Sequence, residues 1–87
     1  MIGFKQHLEL AQSFQNEMSG FEWVSVSVSV YSSDTVNGKR GGNFVTLIVN
    51  GNKEESPEHF FHLIGDKITA ESIAELKEEL KGLGYEI

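Results

Sequence analysis

From Val24 to Val30 the chain alternates valine and serine without a break, and from Phe44 to Val49 it runs Phe-Val-Thr-Leu-Ile-Val. Strict alternation is the period of a strand that buries one face and exposes the other. Between the two runs stands Asn37-Gly38, which readily supplies the positive φ angles of a type I′ hairpin turn. A turn centred there pairs Val26 with Val49, Val28 with Leu47 and Val30 with Val45, so every apolar partner falls on one face. A slip of one residue would scatter them. The second face then carries Trp23, Ser25, Ser27, Ser29 and Tyr31 against Phe44, Thr46, Ile48 and Asn50. It is half small and polar, half large and apolar.

The flanking segments follow a helical period. Phe4, Leu8, Ala11, Phe14 or Gln15, and Met18 recur every three or four positions, which predicts an amphipathic helix over the first 18 residues. Ser19-Gly20 follows as its stop, with Gly20 able to take the left-handed angle that ends a helix. Near the other end, Thr69 is a candidate N-cap for a helix with Ile73, Leu76, Leu80 and Leu83 on its apolar stripe, and Ile68 is placed to staple against Ile73. Gly82 and Gly84 end that helix, and Tyr85-Glu86-Ile87 reads as a short final strand joining the sheet parallel to its neighbour.

Residues 51 to 57 are polar and read as a loop, and two readings compete for residues 58 to 64. A helix would have Ser56 as N-cap, Pro57 at its first position and Gly65 beyond its end. A strand would alternate His59, Phe61 and Leu63 with Phe60, His62 and Ile64. The strand is preferred, because the run has strand length and a lone hairpin offers two helices too narrow a surface. Continuing the hairpin register into it brings Phe60 beside Ile48 and Ile64 near Phe44. The expected fold is α+β, a two-layer sandwich of a mainly antiparallel 3-4 stranded sheet and two helices, in the order α-β-β-β-α-β.

Composition narrows the function. At 87 residues the chain is expected to form one domain, burying about 60 to 65 per cent of its unfolded surface. Thirteen acidic against seven basic residues give a net charge of −6, which repels phosphate backbones and anionic membranes and disfavours nucleic acid as main partner. The chain has no cysteine, hence no disulfide, thiolate ligand or thiol nucleophile. No segment approaches the roughly 20 apolar residues that span a bilayer, and no secretory leader is recognised. A cytoplasmic protein, in its own cell or a host cell, is the expectation.

Candidate chemistry is sparse. His7, His59 and His62, with Glu54, Glu55 and Glu58 nearby, would suit zinc or iron if residues 57 to 64 were helical. As a strand the segment sends His59 and His62 to opposite faces, so no metal or other cofactor is assigned. The serines lie in a strand ladder without a nucleophile elbow, and the acids sit on helix faces and loops rather than in apolar settings. No catalytic residue is assigned, and an enzyme is not expected. The hairpin tip, Asp34 to Gly42, holds Lys39 and Arg40 among glycines; it lacks the P-loop pattern and reads as a contact arm or a solvated turn.

The second sheet face offers more. If both helices cover the valine face, Trp23, Tyr31, Phe44, Ile48 and Phe60 form an apolar area of several hundred Å² in water, as large as the biggest patch on a typical monomer. Aromatic side chains of this kind dominate binding hot spots. The reading is a small acidic, non-enzymatic protein-interaction module, either a homodimer through this face or an inhibitor docking it on a larger protein. Its size and acidity parallel phage-encoded inhibitors of host nucleic-acid enzymes, an analogy that carries over no residue. The alternative is a ferredoxin-like dimer that binds, or weakly transforms, a small molecule, with His59 or His62 as its polar contact.

Overall fold

The structure is a computed structural model that describes residues 3–32, 35–36, 39–40, 43–53 and 57–87, without the side chains of 35, 36, 39 and 40. Helix α1 spans Phe4–Met18 and strand β1 Val24–Ser32; the short strands β2 and β3 are Thr35–Val36 and Lys39–Arg40. Strand β4 spans Asn43–Gly51, β5 His59–Ile64, a 3-10 turn Gly65–Lys67, and helix α2 Ala70–Gly82. The chain is thus α+β, with two helices and a three-stranded antiparallel sheet in the order β1-β4-β5.

The hairpin forms in the register that the alternation predicts. Val26 faces Val49, Val28 faces Leu47 and Val30 faces Val45, without a bulge from Val24↔Gly51 to Ser32↔Asn43. The same register continues through Val36↔Lys39; the turn residues Asn37 and Gly38 lie outside the described residues. Residues 59 to 64 form a strand, so the helical alternative is excluded. Its register on β4 differs from the expected one by two residues: Phe60 faces Asn50, His62 faces Ile48, and Ile64 faces Thr46.

Both helices contribute to one core against the valine face. Ala11, Phe14 and Met18 of α1 and Ile73, Leu76 and Leu80 of α2 are buried with Val45, Leu47 and Val49 of β4. Each fully buried side chain of this size contributes about 1.5 to 3 kcal/mol, and the central strand carries three of them. A Glu17–Lys77 ion pair at 2.7 Å ties the two helices together outside the core.

Helix ends follow local chemistry. Gln6 reaches back to accept the Gly3 N–H at 2.7 Å. At the other end the Ser19 hydroxyl and N–H both donate to the Asn16 carbonyl, and Gly20 does not take the left-handed angle open to it; among the described residues the positive-φ glycines are Gly65 and Gly84. In α2 the Thr69 hydroxyl accepts the Ser72 N–H at 3.0 Å while the Ser72 hydroxyl accepts the Thr69 N–H at 3.2 Å, a reciprocal cap. Ile68 and Ile73 are both buried across this cap, as a staple requires.

The expected final strand at Tyr85 to Ile87 does not form. Gly84 takes φ 98°, the Gly84 N–H donates to Lys81 and the Tyr85 N–H to Leu80. Those two bonds define a Schellman ending, which uses the N–H that a strand would need and turns the next side chain onto the helix. Tyr85 is consequently buried at 4 % exposure, in the same core as Leu80. The sheet keeps three strands, with β1 and β5 at its edges.

Candidate functional site: the open sheet face

Because side chains alternate along a strand, the pairs that bury the valines send the intervening residues to the far side. Four rows cross that side: Ser25-Asn50-Phe60, Ser27-Ile48-His62, Ser29-Thr46-Ile64 and Tyr31-Phe44. No helix residue joins them in the core. Phe60 is 60 %, Tyr31 53 %, Ile64 46 % and Trp23 38 % exposed, while Phe44 and Ile48 are half-buried between their neighbours. Four rows two residues apart across three strands give a face of about 20 Å by 10 Å between Cα positions.

Packing within the face is local. Tyr31 and Phe44 stack with ring centroids 5.6 Å apart and planes 23° from parallel, closing one end. In the middle, Thr46 is buried at 5 % exposure by its flanking rows. At the other end the Asn50 amide donates to the Glu58 carboxylate. The four rows contain no Asp, Glu, Lys or Arg, which sets this side apart from the charged helix surfaces. The structure therefore brings Phe44, Ile48, Phe60 and Tyr31 onto one face, adds Ile64, and leaves Trp23 outside the rows, just before β1, beside a cleft that it lines with Phe21, Tyr85 and Ile87.

The other candidates are placed differently. His59 and His62 point to opposite sides of β5, the first half-buried and the second exposed. His59 Nδ1 shares a hydrogen bond of 2.9 Å with the Tyr85 hydroxyl, and the two rings meet edge to face at 5.8 Å. The polar contact envisaged for a small ligand at His59 is thus engaged within the fold. His7 sits half-buried on α1. Glu54 and Glu55 lie outside the described residues, and among those described no three His, Asp or Glu side chains converge as metal ligands would. For the arm, the backbone of Lys39 and Arg40 pairs with Val36 and Thr35, while Asp34, Gly41 and Gly42 lie outside the described residues.

Sequence reasoning missed the Tyr85–His59 contact. Its one signal was Gly51: a Cβ there would stand 2.6 Å from Tyr85 Cζ and Oη, so the ring lies directly on the backbone between Val24 and His59. Compared with known proteins, the chain matches no family model, no curated protein and no solved structure.

Proposed function

We propose that this chain is a non-enzymatic protein-interaction module that docks through its open sheet face. The observation that carries the reading is the row structure above: three large apolar side chains, Tyr31, Phe60 and Ile64, stay exposed in rows without Asp, Glu, Lys or Arg while both helices crowd the other side. Such a patch is at the upper end of what a monomer leaves in water, and its aromatic content is that of binding hot spots. The partner class is a protein surface. A net charge of −6 draws in basic proteins over long range, which suits an inhibitor of a nucleic-acid enzyme in the manner of phage-encoded inhibitors. The lack of formal charge within the rows supports a second reading, a homodimer across the same face.

The test compares the wild-type protein with Phe60→Ser and Ile48→Ser. Chemical denaturation should show both variants folded, and sedimentation with a basic partner protein should show association lost; only under the second reading should self-association be lost as well. If both variants unfold, these residues are core and the reading fails.

A further inference from the structure

The hydrogen-bond phase of β1 can be read from two contacts. The Asn52 N–H donates to the Trp23 carbonyl at 2.9 Å, one step beyond the Val24↔Gly51 pair. Bonded and non-bonded pairs alternate along an antiparallel ladder, so the odd-numbered residues of β1 bond to β4. The even-numbered residues, Val24, Val26, Val28 and Val30, turn their N–H and C=O groups to the outer edge. Gln15 confirms the phase, since its Nε2 reaches the Val26 carbonyl from outside at 3.0 Å.

Among the described residues no strand pairs with this edge. It is nine residues long, unbroken by a bulge, and holds no proline or charged residue. Those are the devices by which edge strands normally resist pairing. Strand β5, the opposite edge, is six residues long and preceded by Pro57.

We infer that the outer edge of β1 is a strand-addition site whose occupant is β1 of a second copy, joining two sheets into one of six strands. Two observations select that occupant. Residues 24 to 30 read the same in both directions about Ser27, so an antiparallel two-fold pairing centred there sets Val26 against Val28 of the second copy and Val24 against its Val30. Each such pair joins outward-facing groups on both copies, giving about eight inter-copy hydrogen bonds. Charge is the second: copies that each carry −6 repel except where charge is absent, and β1 is such a surface; Glu22, just before it, would face Ser32. A groove of about 430 Å³ beside this edge, lined by Gln15, Met18, Val24 and Val26, receives the side chain of the incoming Val30, with the Gln15 amide swinging off Val26. Pairing by this edge leaves the open faces free and side by side, so it stands independently of the docking proposed for them.

Sedimentation equilibrium up to about 1 mM protein, with amide exchange followed by NMR, tests the inference. The wild type should dimerise, and the Val26, Val28 and Val30 amides, which lack a strand partner in one copy, should gain protection with concentration. Val28→Pro removes an outward N–H at no cost to the β1–β4 ladder. Val30→Lys places a charge at a side chain already 48 % exposed, so it serves if the proline variant unfolds. Both should weaken dimerisation at least ~10-fold, while Phe60→Ser and Ile48→Ser leave it unchanged. A wild type that stays monomeric throughout overturns the inference, as does a Val30→Lys protein that dimerises normally. Dimerisation lost in Phe60→Ser but kept in Val30→Lys overturns it in favour of pairing across the face.

Discussion

Replacing Gly51 by alanine puts the Tyr85 packing to a quantitative test. The added Cβ would lie 2.6 Å from both Cζ and Oη of Tyr85 and 3.1 Å from Cε2. Tyr85 cannot retreat easily: it is 4 % exposed, its N–H is held by Leu80 and its hydroxyl by His59. Overpacking of this kind costs about 1 to 3 kcal/mol, against a gain of roughly 0.5 to 1 kcal/mol from removing a glycine within a strand. Gly51 is not a positive-φ residue, so backbone strain adds nothing. At mid-range values the net loss in wild type is about 1.25 kcal/mol, or a Tm lower by about 5 to 10 °C for a domain of this size. In a Tyr85→Leu background the offending atoms are gone, and the same alanine should be neutral or stabilising by up to about 1 kcal/mol. Urea denaturation of the four proteins, followed by far-UV circular dichroism, gives the coupling energy directly. A Gly51→Ala cost that is the same in both backgrounds, or absent from wild type, would refute the packing argument.

Two further substitutions probe the fold that holds the open face in place. Thr69→Ala removes the side chain that accepts the Ser72 N–H and should cost about 1 kcal/mol, read as a lower urea midpoint with unchanged m-value; an unchanged midpoint would mean that the reciprocal cap contributes nothing. Leu47→Ala empties a fully buried site between Val28 and Leu63 and should cost about 2 to 5 kcal/mol. A loss under 1 kcal/mol on calorimetry would contradict its central place in the core.

The parts of the structure legible in sequence are those that local rules determine. The β1–β4 register follows from the joint demand of a short turn and apolar parity, and the α2 cap from the spacing of Thr69, Ser72 and Ile73. Strand β5 shows where such rules stop. Parity forbids a one-residue slip, because it would carry Phe61 and Leu63 to the open face. A two-residue slip preserves both faces, and a long connection after Gly51 sets no register of its own. The pairing of Gly51 with His59 is settled by a contact from far along the chain, Tyr85, which no local pattern announces. The absent final strand has the same origin. Tyr85, Glu86 and Ile87 have adequate strand propensity, but the positive φ at Gly84 commits the Tyr85 N–H to the helix end before the sheet can use it. The open face is readable to the extent that parity reaches: Ser25, Ser27, Ser29 and Tyr31 share a side with Phe44, Thr46, Ile48 and Asn50, whereas Trp23 stands outside the rows and the neighbours across β4 and β5 are displaced by one pair.

The valine-serine repeat of β1 has a kinetic side. A repeat with a period of two carries no information about its own position, so sliding β1 along β4 by two residues still sets valines against apolar residues for most of the ladder. What such a slip destroys lies at the ends: the Tyr31–Phe44 stack on one side, and on the other the seat of Gly51 beneath Tyr85. The hairpin is therefore keyed at its termini and featureless in between, and a folding chain searches among registers of nearly equal energy until an aromatic stack and a glycine, about 24 Å apart, fall into place together.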